Sequence, residues 1–269
     1  MSKTRFVGTI VMLAFVLVLM TGCGADPVTV AQQFQEAVNS QDVESALKLL
    51  AKNASLKAGE TSSVTGKDQI ANWLATQAEL HYQFNGDPIA SESRVTFENC
   101  SINSYQWSYY AIKAMSGTCE VTVEDELVTE FAVQFDEDSK ASLADSSVAA
   151  AADMIGIWIT KNYLTDSGDL YLQFFEDGSS RLASTPDDLL ITPDSDHQGA
   201  SITWTYEDYV LILQNDGVAS EGYCQEQDVG KFLVKNADGG GLIFKTIDDS
   251  CSLRGVAFQL PPRWRPYVP

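Results

Sequence analysis

Bases are scarce in this chain. Its 269 residues include 17 Lys and Arg against 37 Asp and Glu, a formal net charge of −20 at pH 7. A surface so poor in cations lacks the footprint that nucleic acid, or broad contact with anionic headgroups, requires. Histidine is scarcer still, with only His81 and His197, far apart in sequence. The five cysteines contain no C-x-x-C, so a zinc site has no ligand set. Acid is plentiful but unordered. "DSGD" (166–169) and "DDSC" (248–251) lack the alternating ligands and glycine of a calcium loop and read as turns. Neither a metal nor a cofactor is expected. Hydrophobic residues make up 45% and charged residues 20%, the balance of a globular protein, and the length suits two domains of ordinary size or one large one.

A long apolar run occurs at the start of the chain. Lys3 and Arg5 precede "FVGTIVMLAFVLVLM" (6–20), and small residues then lead to a cysteine in "MTGC" (20–23). A short apolar segment behind a basic start is the pattern of a signal peptide. Its ending resembles a bacterial lipobox, with Met20 standing where leucine is more usual. The resemblance implies cleavage after residue 22, diacylglycerol on Cys23 and a lipidated tether over 23–27. Loss of residues 1–22 removes two bases and no acid, taking the net charge to −22. An anionic surface repels such a charge, so attachment rests on the lipid, at roughly 0.8 kcal/mol per buried methylene. The expected location is the extracytoplasmic face of a bacterial cell membrane.

The other cysteines, Cys100, Cys119, Cys224 and Cys251, fall as one pair in each half of the chain. Four cysteines allow three pairings. The local one, Cys100–Cys119 and Cys224–Cys251, keeps each bridge inside one half and fits an oxidising compartment. Each loop contributes on the order of 3 kcal/mol in the chain-entropy model.

In the first half, Val30, Phe34 and Val38 recur at helical spacing, and Val43, Leu47 and Leu50 do so again after "NSQD". Ser40 or Asp42 is placed to cap the second helix. A third helix is expected in "VTGKDQIANWLATQAEL", with Ile70, Trp73, Leu74 and Leu80 on one stripe. From residue 82 the chain turns to Val, Thr and aromatics in alternation, and long antiparallel strands are expected at about 93–105, 109–124 and 127–136. Helices, a small strand, a helix and then strands, carried by "FQEAVNSQDVESALKLLA", "VTGKDQIANWLA" and "FAVQFDED", resemble the nuclear transport factor 2-like fold and its SnoaL-like and ketosteroid-isomerase-like relatives. The resemblance covers about 28–140 and implies an α+β cone: three helices packed on a bent antiparallel sheet, with an open pocket. Trp73, Tyr82, Phe84, Tyr105, Trp107, Tyr109 and Tyr110 are candidates to line it, though aromatics are core formers first. His81, after the third helix, reads as a surface residue suited to the helix dipole. No nucleophile–base pair stands out.

The small, alanine-rich stretch before residue 155 marks a join, with 141–154 a linker or short helix. From 155 to 260 the signals are strands and Gly- or Asp-rich turns. "IGIWIT" opens the set, "GDLYLQFFEDGSSRLAS", "SITWTYEDYVLILQNDG" (turn at "ED") and "GKFLVKNADGGGLIFKTIDD" follow as hairpins, and "CSLRGVAFQL" (251–260) closes it. About eight strands predict an all-β antiparallel barrel. The Gly156-Ile157-Trp158 opening, with Arg254 near the end, resembles lipocalin-like and other calycin barrels. That resemblance implies a barrel-closing contact of Trp158 with Arg254, worth about 0.5–2 kcal/mol as a cation–π pair. An interior filled by side chains is the default for a barrel of this size. The tail "PPRWRPYVP" (261–269) should be extended, with Trp264 pinning it back or serving as a docking anchor.

These features describe a membrane-anchored, non-enzymatic lipoprotein that binds a small hydrophobic ligand, or a protein partner at the membrane surface. An isomerase- or cyclase-type enzyme in the first domain is the alternative, with Asp68, Asp87 or Glu98 as the buried acid it needs. A purely structural interaction protein is the third.

Overall fold

The computed structural model describes residues 25–268 except 60–62, 114, 162–167, 191–199, 216–223, 226, 252–253, 255–256 and 259–262. The chain begins with helix α1 (Pro27–Asn39), where Pro27 supplies the fixed φ of a first turn. Its stripe Val30, Ala31, Phe34, Ala37 and Val38 is buried. Asp42 caps the short α2 (Val43–Lys48), accepting from the Ser45 amide at 3.0 Å. Strand β1 (Leu50–Ala58) and the two-residue β2 (Val64–Thr65) lead to α3 (Lys67–Glu79), which buries Ile70, Trp73, Leu74, Thr76 and Gln77.

Four more strands complete the first sheet: β3 (Gln83–Ser91), β4 (Arg94–Asn103), β5 (Met115–Glu124) and β6 (Leu127–Phe135). A five-residue helix, α4 (Tyr105–Tyr109), interrupts the region expected as strand, because Ser104 caps it by accepting from the Gln106 amide. The strand order is β2-β1-β6-β5-β4-β3, antiparallel except for the parallel β1–β6 pair. Register shifts at Asn85/Asp87, Phe97/Cys100 and Thr122/Val123 bend the sheet, as bulges do. The concave face wraps α1, and Phe34, Phe84, Phe97 and Phe131 fill the narrow end with ring contacts at 4.9–6.5 Å. The side-chain amide of Asn39 pairs with both backbone groups of Phe84, at 2.9 and 3.0 Å, and pins α1 to β3. Cys100 and Cys119 are joined across β4 and β5.

Helices α5 (Glu137–Asp145) and α6 (Ala151–Met154) form the join. Between them Val148 pairs with Lys235, on the side of its strand that the preceding strand leaves open. The second sheet runs as a meander of β7 (Gly156–Lys161), β8 (Asp169–Phe174), β9 (Ser179–Ala183), β10 (Ala200–Glu207), β11 (Val210–Asn215), β12 (Val229–Ala237) and β13 (Gly241–Asp249). The eighth strand is not 251–260. Described residues there, Arg254, Ala257 and Phe258, are helical, at the spacing that turns all three inward. The closing strand is β14 (Arg265–Pro266), which pairs with β7, while Trp264 bridges to Leu242 of β13. The result is an eight-stranded, nearly closed antiparallel barrel. Trp158, Phe174, Trp204, Phe232, Phe244, Phe258 and Trp264 are buried in its core.

Candidate functional site

The wide end of the cone is the place where polar and aromatic groups converge. Trp73 comes from α3, Tyr82 from the start of β3, Gln106 and Trp107 from α4, and Phe135 from the end of β6. Trp73 and Tyr82 meet edge to face at 5.7 Å, and Trp107 and Phe135 at 6.1 Å. This mouth is not open to solvent. The hairpin of β10 and β11 turns through Asp208 and Tyr209, one residue later than the "ED" expected, and its tip enters the mouth. The Asp208 carboxylate accepts from Trp73 Nε1 at 2.6 Å, and its carbonyl from Gln106 Nε2 at 3.2 Å. The Tyr209 ring stands 6.0 Å from Trp107, edge to face, and the Tyr209 carbonyl accepts from the Tyr110 hydroxyl at 2.9 Å. Val210 and Leu233 of the barrel belong to the cone's own core.

A cavity of about 20 Å³ remains, bounded by these residues with Ala58 and Gln77. That is space for roughly one water. Two buried groups around it, the Tyr82 hydroxyl and Trp107 Nε1, have no protein partner. Burial, with the Asp208 carboxylate nearby, holds the Tyr82 phenol well above its ordinary pKa, so it is a neutral donor at physiological pH. Outside the mouth, a groove of about 760 Å³ runs between α3 and strands β11 and β12. Trp73, Gln77 and Asp208 line both the groove and the inner cavity and so form the wall between them.

Of the expected lining, Trp73, Tyr82 and Trp107 reach the site. Phe84 lies deeper, fully buried at the narrow end. Tyr105 points outward, 57% exposed, and stacks on the exposed His81 at 4.5 Å. Tyr109 serves the domain contact: its hydroxyl donates to the Ile243 carbonyl at 3.1 Å, Lys235 and Lys245 sit over its ring, and burial pushes its phenol up to about 12. Tyr110 also serves the contact rather than the cavity. Asp68, Asp87 and Glu98 are all exposed on the outside. Asp208 and Tyr209 were not anticipated, because they come from the other domain. The one local signal is a bulky Tyr in a two-residue turn between alternating strands, a position that normally takes glycine.

The remaining expected residues are placed as follows. Cys23 lies outside the described residues. Cys224 and Cys251 are joined. Those two cysteines and Asp228 form a metal-like cluster by distance, but the disulfide occupies both sulfurs. Trp158 and Arg254 each have other partners. Trp158 Nε1 donates to the Met154 carbonyl at 2.7 Å. Arg254, 2% exposed, clasps Asp249 at 2.7 and 3.1 Å and donates to Asn215 Oδ1 at 2.8 Å. The expected stacking gives way because a buried guanidinium is better satisfied by a bidentate carboxylate than by a ring face.

No family profile matches the sequence, and no curated protein does. Among solved structures, an NTF2-like protein of unknown function from Cytophaga hutchinsonii is 16% identical, covering 45% of this chain and 99% of its own, with a TM-score of 0.37. The Δ5-3-ketosteroid isomerase from a Mycobacterium species is 16% identical over 43% of this chain and 97% of its own, at 0.36. SalBIII, an epoxide hydrolase/cyclase-like enzyme of pyran ring formation in salinomycin, is 11% identical over 42% of this chain and 92% of its own, at 0.36. Likenesses this distant carry no inference about activity, and the α+β cone stands on its own strand order and register.

Proposed function

We propose that this chain is a membrane-tethered, extracytoplasmic binding protein whose cone takes a small, largely apolar ligand without chemistry. The observation that carries the reading is the pair of partnerless buried donors, Tyr82 hydroxyl and Trp107 Nε1, in an otherwise aromatic wall. A buried donor without an acceptor costs about 1–3 kcal/mol, a cost that a ligand oxygen or a water removes. The two disulfides suit an oxidising compartment. The tether rests on the basic start, the apolar run and "MTGC" at 20–23. No helix among the described residues is long and apolar enough to cross a membrane.

A non-enzymatic role is supported by the outward placement of Asp68, Asp87 and Glu98. An isomerase- or cyclase-type reading would have to work through Asp208, the carboxylate that lines the cavity, while it is bound to Trp73. The barrel, its core packed with aromatics, serves here to cover the cone and to present surface to a protein partner.

The test is twofold. Native mass spectrometry and fluorescence titration with 1-aminoanthracene should show one bound probe per chain; no uptake under any condition overturns the ligand reading. Cys23→Ser should move the protein from the membrane to the soluble fraction, and unchanged partitioning overturns the tether.

A further inference from the structure

The mouth of the cone is filled by a turn of the barrel. The tip of the β10–β11 hairpin presents an aromatic ring, Tyr209, beside a carboxylate, Asp208, and the two take up separate features of the mouth. The ring meets Trp107 edge to face. The carboxylate accepts from Trp73 Nε1. The backbone at this tip is in the left-handed region at both residues, φ 48 for Asp208 and φ 65 for Tyr209. A two-residue turn of this hand favours glycine at the second position, and a bulky side chain there is disfavoured. The turn therefore adopts a costly local conformation, and the contacts of the ring and carboxylate with the cone are what offset it. The wall that this tip completes, Trp73 with Gln77 and Asp208, is also the inner wall of the solvent-facing groove. Displacing the tip would join a groove of about 760 Å³ to the inner cavity.

We infer that the β10–β11 tip is a built-in competitor for the cone, and that the ligand it excludes is an aromatic carboxylic acid. Such a molecule would enter by the groove, place its ring where Tyr209 lies and present its carboxylate to Trp73 Nε1. Its oxygens would lie within the same mouth as the Tyr82 hydroxyl and Trp107 Nε1, the two donors left without protein acceptors. This rests on the reading of the cone as a ligand site, and it adds the chemical class of ligand and the means of control. A ligand must outcompete the tip, so apparent affinity is the intrinsic affinity reduced by the fraction of time the tip is out.

The experiment uses the full chain and its Asp208→Gly/Tyr209→Gly variant. Glycine at both positions suits the turn's backbone and withdraws both the ring and the carboxylate that holds Trp73, so the hairpin keeps its register while the mouth empties. Asp208→Gly/Tyr209→Asn, also tolerant of positive φ, serves as a second variant with ring and carboxylate removed. The probe is 4-hydroxyphenylacetate, titrated by calorimetry and tryptophan fluorescence, with uncharged 4-ethylphenol as control and 1-aminoanthracene as a general apolar probe. If the tip occupies the site at least nine-tenths of the time, both variants should bind 4-hydroxyphenylacetate about tenfold or more tighter than the unaltered chain. The gain for 4-ethylphenol should be smaller. Unchanged affinity for 4-hydroxyphenylacetate in both variants, with 1-aminoanthracene still bound, overturns the competitor and leaves the cone reading in place. An equal gain for the acid and 4-ethylphenol overturns the carboxylate assignment. Absence of binding of every probe to every form overturns both this inference and the reading it rests on.

Discussion

Arg254 shows how much a single buried charge can organise. Its guanidinium and the Asp249 carboxylate are 1% and 3% exposed as side chains, and the cation is further shared with Asn215 Oδ1 and the Asp228 carbonyl. Gly230 makes room for the pair, since a Cβ there would come within 2.9 Å of both partners. Arg254→Ala strands a buried carboxylate and should cost about 3–5 kcal/mol in urea unfolding, whereas replacing both partners with apolar residues of similar volume should cost far less. Trp158→Ala should also act on stability first, by about 3–5 kcal/mol, because the indole packs in the barrel core and donates to Met154. An unchanged melting temperature would refute that role. Both residues were legible in the sequence as structural, but their partners were not: the expected stack of Trp158 on Arg254 gives way to Met154 and Asp249. The partner of a buried arginine is decided by which carboxylate the fold brings inside with it, and Asp249 looked like part of an acidic turn.

At the level of elements, legibility followed the strength of local pattern. The three helices of the cone and seven of the barrel strands were readable because periodicity and turn chemistry agree there. Strand β3 was hidden by "NGDP" within it; it lies at the sheet edge, where proline is tolerated. Strand β1, "LAKNASLKA", has weak strand propensity, and tertiary pairing with β6 overrides it. The parallel direction of that pair has no local signature at all. The mouth of the cone was half legible: its aromatics were visible, but not the turn from the other domain that covers them. Adjacent strands β4 and β5 are stapled by Cys100–Cys119. Replacing both cysteines with alanine should lower stability by on the order of 3 kcal/mol by the loop-entropy estimate, read as a lower denaturation midpoint with a steeper slope, because the freed unfolded chain exposes more surface.

Across the whole molecule, the two domains share a seam with a polar and an apolar part. Hydrogen bonds from Trp73, Gln106, Tyr109 and Tyr110 cross it, as does the Lys231–Glu79 pair, while Val210 and Leu233 contribute to the core of the cone. The same seam makes the protein sensitive to alkali. Burial raises the phenols of Tyr82, Tyr110 and Tyr206 above the ordinary value and that of Tyr109 to about 12. These groups stay neutral in the folded chain when they would ionise in the unfolded one. Their contribution is fully present below about pH 10, the ordinary tyrosine value, and is lost as pH rises through 12. The share of tyrosinate absorbance that belongs to these buried phenols should therefore appear together with loss of the far-ultraviolet circular dichroism signal above pH 10, and complete titration of every tyrosine without unfolding would contradict this.

The seam of the barrel itself has a further consequence. Among the described residues, strands β7 and β13 are bridged by the segment 263–267: Trp264 pairs with Leu242, Arg265 and Pro266 pair with β7, the Arg263 carbonyl accepts from the Thr160 hydroxyl at 3.3 Å, and the Tyr267 amide donates to the Ile157 carbonyl at 2.8 Å. Without residues 263–269 the barrel becomes an open sheet with two bare rims of unpaired amides and carbonyls. Such rims are templates for strand addition. A chain shortened at residue 262 should associate through β7 and β13 into dimers or longer assemblies on size-exclusion chromatography, and residues 263–267 can be understood as protection against self-assembly.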